Sequence, residues 1–347
     1  MTAARPEVAA PAFRTVRVVS GPMDRERFER EILPSEQPVV MRGLVADWPA
    51  VAAGKTSFEA AAGYFKARDK GQKTSVSLIE PEQKGRFFYT PDMSGFNFKV
   101  DQATPSYVLD WLLSHIEDGN APTVYVQSLM LSEHMPAFEA ENPMPLLTSH
   151  AGARLWIGNE VRTQTHFDPS YNIACVVAGQ RRFTLFPPEQ IVNLYPGPFD
   201  TSPGNVPVSM PGIEEPDFVT YPRLAQALEA AQVAELEPGD AIFVPYAWWH
   251  HVQSYGPFNL LVNYWWNGLH PTTPSPFGSL YLALLTIRDL PPAARAVWRR
   301  IFELYVFSDD SAAMAAHLPE AARGAFGPPV NAVVNRIRAY LKRTFGL

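Results

Sequence analysis

The chain has 347 residues, enough for one large domain or one domain with an appendage. It is 46% hydrophobic, 12% aromatic and only 18% charged, with 34 prolines, which argues against a disordered chain or a helical bundle and for a compact fold of short strands and rigid loops. A net charge of −6 with no strongly basic stretch offers no general grip on phosphate backbones, so no nucleic-acid partner is expected.

Residues 1–12 are Ala/Pro-rich and read as a loose, disordered tail without the apolar run of a signal peptide. Phe13–Val19 alternates like a strand, Asp24 caps a helix running to Leu33, and Pro38–Arg42 is a short apolar strand. Ser57–Phe65 and Ser106–His115 read as Ser-capped amphipathic helices, with strands at Ser75–Leu78 and Arg86–Tyr89 between them and another at Thr123–Leu129. From Leu155 to Trp266 the signal turns strongly to strand. The segments are Leu155–Glu160, Thr165–Asp168, Asn172–Val177, Arg182–Phe186, Ala241–Val244, Trp249–Ser254 and Phe258–Trp265. Short strands at this spacing, joined by Gly/Pro turns, predict a sandwich or barrel. The proline-rich stretch Tyr195–Arg223 interrupts them, and a loop that long in a compact domain is more often functional than idle. After Pro271 the pattern becomes helical at Phe277–Arg288, Pro292–Phe307, Ser311–Leu318 and Pro329–Phe345. This block is apolar enough to need a surface to pack on, either the β core or a second copy of the chain. Arg336, Arg338, Lys342 and Arg343 of the last helix read as a solvated face. No segment reaches the roughly 18 apolar residues of a membrane span. The single cysteine, Cys175, excludes an intrachain disulfide and suits a reducing compartment, so a cytoplasmic protein with no membrane partner is expected.

His166-Phe167-Asp168, followed much later by Trp248-Trp249-His250-His251, has the make-up of two histidines and one carboxylate that hold Fe(II) on one face and leave the other positions open. A His-x-acid pair alone is weak, because composition supplies about one such pair by chance. Indeed a second occurs at His115-Ile116-Glu117. His115 ends a predicted helix, where residues i and i+2 diverge, whereas His166 and Asp168 lie in a predicted strand, where they share a face. Of the two distant histidines, His250 shares its face with Val252, and His251 shares the other with Gln253. The apolar company favours His250 as the inward ligand.

A two-residue turn at Gly179-Gln180 would make a hairpin of the flanking strands and put Asn172, Ala174, Val176 and Ala178 on one face with Arg181, Phe183 and Leu185. Arg181 would then point into the cavity and Arg182 away from it. A cation inside an apolar barrel needs an anion. A bound dicarboxylate would supply one and a guanidinium could grip it in two places; a structural ion pair with Asp or Glu is the alternative.

Six segments together carry a resemblance: PVVMRGLVADWPA (38–50), VYVQSL (124–129), LWIGNEVRTQTHFD (155–168), GQRRFTLFPPEQ (179–190), EPGDAIFVPYAWWHHV (237–252) and LVNYWWN (261–267). In order and spacing they resemble the Jumonji-C / cupin-like iron(II), 2-oxoglutarate oxygenases, most nearly the branch containing the asparaginyl hydroxylase that acts on hypoxia-inducible factor. The resemblance implies a mainly β fold, a double-stranded β-helix (jelly roll, cupin-like) core with N-terminal α/β elements and a C-terminal helical block. Its expected extent is residues 13–270, with 271–347 as a capping or dimerisation region. It implies His166, Asp168 and His250 as iron ligands, Thr163, Tyr125, Asn172 and Asn263 as contacts to 2-oxoglutarate, and Trp265 near the site. Arg181 stands where that hydroxylase has a lysine; the charge is kept, but the group is a larger fork.

The expected activity is therefore that of a dioxygenase using Fe(II), 2-oxoglutarate and O2 to hydroxylate a protein or peptide side chain, with succinate and CO2 as coproducts. The Tyr195–Arg223 loop and Trp248, Trp249 and Trp265 are expected to line the substrate entrance. Demethylation of a methyl-lysine would use the same chemistry. The competing readings are an oxygenase acting on a small molecule, a non-catalytic cupin-type metal- or ligand-binding protein, and a zinc isomerase. The C-terminal helices point to a homodimer.

Overall fold

The structure is a computed structural model describing residues 13–147, 151–204, 206–267, 275–309, 313–326 and 331–346; the tail read at residues 1–12 lies outside them. The chain divides into two compact units, Met1–Gly268 and Leu269–Leu347.

The first unit is built on one 13-stranded sheet. Its strands are β1 Arg14–Thr15, β2 Arg17–Val19, β3 Val39–Met41, β4 Thr74–Ile79, β5 Arg86–Phe87, β6 Lys99–Ala103, β7 Thr123–Met130, β8 Ala153–Gly158, β9 Arg162–His166, β10 Tyr171–Phe186, β11 Gln232–Leu236, β12 Ala241–Val244 and β13 Trp249–Trp266. Two of them, β10 and β13, are long and pair antiparallel along their whole length. Near Tyr171 this ribbon is flanked by β12 on one side and β8 on the other. Near Phe186 it is flanked by β11 and β9 instead. One bent ribbon therefore belongs to two layers, which is how a double-stranded β-helix is made.

The bend corrects the expected hairpin. Ala178-Gly179-Gln180 is not a turn but an irregularity inside β10, where the register against β13 shifts twice. Gly179 sits there at φ +75°, and a Cβ on it would lie 2.3 Å from Asn259 Oδ1, so both backbone and space demand glycine. The bulge also resets side-chain parity. Asn172 and Ala174 face the same cavity as Arg181 and Phe183, although Ala174 and Arg181 are an odd number of residues apart. Ala178, expected on that face, packs instead with Ile173, Cys175 and Val177 in the larger core.

That larger core lies between the sheet and the N-terminal helices, with Phe28, Trp48, Phe65, Leu109 and Phe138 packed against Phe243, Val262 and Tyr264. The helix Pro49–Thr56 approaches β10 so closely that a Cβ on Gly54 would meet Val177 O at 2.0 Å. A smaller apolar cluster with Val40, Ala174, Val176, Phe183, Leu185, Ile242 and Leu261 fills the inside of the bent ribbon.

Local chemistry explains most of the other differences from expectation. The predicted first strand breaks at Val16, because β1 joins β11 while β2 joins β3. Asp24 does cap its helix, accepting from Arg27 N at 2.8 Å, but a π-helical turn follows at Phe28–Ile32. The helix Pro105–Ser114 is capped by Thr104, not Ser106, whose hydroxyl donates to Asp69 at 2.6 Å. The strand Arg162–His166 starts and ends earlier than expected, leaving Asp168 just beyond it.

The second unit contains the helices Pro276–Thr286, Pro292–Tyr305 and Asn331–Phe345. The helix expected over Ser311–Leu318, whose first two residues fall outside the described ones, is a single 3-10 turn at Ala313–Ala315. No helix among the described residues is long and apolar enough to cross a membrane.

Candidate metal centre and its cavity

His166 ends β9 and lies opposite His250 of β13, the two rings 4.3 Å apart between centroids. Asp168 lies two residues on, with Phe167 turned the other way against Trp249. The alternation of a strand thus continues past its last hydrogen bond. Asp168 is also held by its carbonyl, which accepts from Ala247 N at 3.1 Å. The potential ligand atoms of His166, Asp168 and His250 all lie within 4.8 Å of one another. That is close to the span of two metal–ligand bonds of about 2.1 Å. The decoy pair has a different fate: His115 terminates its helix and stacks on Trp111 at 4.0 Å.

Three observations fit these residues to a cation. The His166 Nδ1 lies 2.8 Å from Gln164 O, and the His250 Nδ1 lies 3.0 Å from Trp248 O. A carbonyl only accepts, so each Nδ1 is the donor of its bond and each Nε2 is the nitrogen left to face a metal. Burial first, and the His166 ring second, pull His250 down to about 4 against the opposing effect of Asp168, so its imidazole is neutral at neutral pH. Asp168 Oδ2 is buried without a hydrogen-bond partner, its 3.6 Å separation from His250 Nε2 being too long for one.

Next to the triad is a cavity lined by residues of β7, β8, β9, β10 and β13. Every sequence-predicted contact lines it: Tyr125, Thr163, Asn172, Arg181, Asn263 and Trp265. Arg181 is 2% exposed, and its Nε and Nη2 have no partner. Burial pulls its guanidinium below its ordinary value, with the Tyr125 hydroxyl beside it opposing. No carboxylate among the described residues pairs with it, which removes the structural ion pair as the alternative. The Trp265 Nε1 is likewise buried and unpartnered. Lone buried donors of this kind suit an anion with several acceptor oxygens.

A second chamber shares Tyr125, Trp156, Thr163, His166, Asp168 and Trp265 with the first and adds Phe87, Gln127 and Gln164. Pro203, Gly204, Val206 and Val208 of the long proline-rich loop form part of its wall. This loop is strapped to β9: Ser209 N donates to Thr165 O at 2.7 Å, and Gln164 Nε2 donates to Ser209 O and Pro211 O at 2.7 and 2.8 Å. Trp265 lines both chambers, but Trp248 and Trp249, expected at the entrance, are 4% and 1% exposed and packed in apolar clusters. Trp156 and Leu261 were not singled out from sequence, yet they line the inner cavity together with Phe183 and Val252, which alternation puts on the inward faces. For Trp156 a signal was present, since Leu155 and Ile157 on either side are core residues and alternation sends Trp156 the other way.

Residues 25–270 match the family described as the cupin-like domain. Lysine-specific demethylase JMJ31 of Arabidopsis thaliana is 35% identical over 140 residues, covering 40% of this chain and 25% of that protein. HSPB1-associated protein 1 of Homo sapiens is 37% identical over 114 residues, covering 32% and 22% respectively. Jumonji C domain-containing protein 5 of Drosophila melanogaster is 22% identical over 253 residues, covering 70% of this chain and 57% of that protein. The chain thus spans less than two thirds of the length of these relatives.

Proposed function

This chain belongs to the cupin-like, Jumonji-C family, and we propose that it is an Fe(II)- and 2-oxoglutarate-dependent dioxygenase that hydroxylates a protein or peptide side chain. The observation that carries the reading is the pairing of two things in one cavity: a convergent His166–Asp168–His250 triad and an unpartnered buried guanidinium, Arg181. The triad would hold Fe(II). Arg181 would anchor the far carboxylate of 2-oxoglutarate, with Thr163, Tyr125, Asn172 and Asn263 contacting the same molecule and Trp265 beside it. When bound, iron and 2-oxoglutarate supply the oxidising chemistry, in which O2 gives one oxygen atom to succinate, formed with CO2, and the other to a substrate C–H bond. Phe183, Val252 and Leu261, which line the cavity, would keep water from the reacting centre. The second chamber, walled by the loop, would admit the substrate side chain.

Relatives named for lysine demethylation favour a second reading, removal of a methyl group from lysine by the same hydroxylation. Both readings are tested with the Fe(II)-loaded full chain and a peptide library. The first expects 2-oxoglutarate-dependent succinate and one added oxygen atom on a peptide, the second formaldehyde from methyl-lysine peptides. Asp168→Ala should abolish either. A wild-type chain that neither binds 2-oxoglutarate nor forms succinate would leave a metal- or ligand-binding cupin.

The oxygenase domain is proposed to span residues 13–270, and the helices of 271–347 to join two copies through exposed apolar residues such as Leu285, Val297, Leu304 and Phe307. Sedimentation of the full chain against Val297→Asp and Leu304→Asp tests this, a monomer-sized wild type refuting it. A buried free cysteine is in keeping with a cytoplasmic setting.

A further inference from the structure

We propose that Trp156 is a positioning residue that fixes which way the side-chain amide of Asn172 faces, and so sets the inner cavity to receive a ligand whose oxygens accept hydrogen bonds. The inference rests on the reading of that cavity as the 2-oxoglutarate site. An indole N–H donates and never accepts. Trp156 Nε1 donates to Asn263 Oδ1 at 2.7 Å, which compels the oxygen end of this amide to face the indole. The other end, Asn263 Nδ2, then donates to Asn172 Oδ1 at 3.1 Å. With its oxygen so engaged, Asn172 has its NH2 left to offer a ligand.

Without the indole, the two amides could turn over together and keep their mutual hydrogen bond, but Asn172 would then offer its carbonyl oxygen. Asn172 and Asn263 are 5% and 2% exposed, so bulk water does not arbitrate between the two orientations. Only a one-way donor at the end of the relay can. The result matches the rest of the cavity, where Arg181 Nε, Arg181 Nη2 and Trp265 Nε1 are unpartnered donors. A keto dicarboxylate carries acceptor oxygens only, so it would bind the donor-facing orientation and be repelled by the reverse. Trp156 is itself held at the right place, edge-on to Trp265 and tilted against Tyr125, each at 5.8 Å.

The test is calorimetric titration of the Mn(II)-loaded full chain with 2-oxoglutarate. Trp156→Phe keeps an aromatic ring and deletes the donor. It is expected to bind 2-oxoglutarate roughly 5–30-fold more weakly, with Mn(II) affinity unchanged and a cooperative melting transition retained. A second variant separates relay from packing: in an Asn263→Ala background, Trp156→Phe should cause no further loss, because the middle link is already gone. Equal affinity in wild type and Trp156→Phe overturns the inference, and so does an undiminished loss in the Asn263→Ala background. A wild-type chain that binds Mn(II) but no 2-oxoglutarate overturns the proposed function itself, and this inference with it.

Discussion

The β10/β13 ribbon carries two pairs of like neighbours, Arg181–Arg182 and His250–His251, and its two faces treat them oppositely. On the face that lines the cavity, Arg181 has two nitrogens without partners, and His250 presents an unengaged Nε2 to Asp168, whose Oδ2 is also unpartnered. On the other face, Arg182 pairs with Glu235 at 3.1 Å, and His251 Nε2 lies 2.9 Å from the Glu214 carboxylate, an ion-pair contact, although neither ring nitrogen of His251 has a hydrogen-bond partner. Leaving a buried polar group unsatisfied costs about 1–3 kcal/mol. Several such groups gathered in one cavity oppose folding, and that cost is the mark of a site built for a ligand. Residue type therefore says little about function here. What separates the faces is whether the fold itself places a carboxylate beside the cationic side chain without leaving that carboxylate free for a ligand.

The sharpest way to break this comparison is to remove each histidine in turn. His250→Ala is expected to lower Mn(II) or Fe(II) affinity more than about a hundredfold, above the range seen when only a supporting partner is lost. His251→Leu should leave metal affinity within a few-fold of wild type, because its ring faces away from the triad. Equal losses in metal titrations would mean that the two faces are not functionally distinct. The arginines give the next largest contrast. Arg181→Met should weaken 2-oxoglutarate binding by about tenfold or more, the loss of a buried charge-assisted contact. Arg182→Met should not change it, and an unchanged affinity for Arg181→Met would move the carboxylate anchor elsewhere.

The cavity face was largely legible in the sequence, through alternation. It separated His166 from the decoy His115, chose His250 over His251, and placed Arg181 with Asn172. The last of these came out right for a wrong reason. A hairpin and a bulge both reverse parity across Gly179, and one chain's spacing cannot tell them apart. The other face was far less legible. The partner of His251 is 37 residues upstream in a loop without periodicity, and the helix Leu224–Ala230 and strand Gln232–Leu236 just after that loop were missed too. Trp248 and Trp249 misled because aromatic residues at a rim and in a core look the same in a sequence; only the packing against Val40 and Phe186 clusters reveals them as core.

Because both faces depend on the bulge, a backbone substitution should disturb them together. In Gly179→Ala the new Cβ would need to be accommodated at φ +75° within 2.6 Å of Phe258 O as well as against Asn259. The expected cost is about 1–3 kcal/mol of stability, read as a lower midpoint in denaturant titration. Weakened 2-oxoglutarate binding should accompany it, since Arg181 follows the bulge by two residues. A stability loss with binding intact would show that the cavity face is set by β13 alone.

The smallest effect should come from the far face, where Glu214→Gln keeps the shape of the side chain and removes its charge. Burial works against the Glu214 carboxylate, but the His251 ring 2.9 Å away outweighs this and holds it at about 2. A carboxyl held low in the folded state adds stability that is complete above its unfolded value and is lost as pH falls through the folded one. The difference between wild type and Glu214→Gln should thus shrink as pH falls from about 4.5 toward about 2. Its size should stay near 1 kcal/mol or below, because the carboxylate is still partly exposed. That corresponds to a shift of about 2–4 °C in melting temperature. The loop keeps its other anchors, the paired bonds from Gln164 to Ser209 and Pro211, so the wall of the second chamber should hold. Metal and 2-oxoglutarate affinities should therefore match those of wild type at neutral pH. A variant that melts normally yet binds 2-oxoglutarate poorly would show instead that the far face reaches through β13 to the cavity.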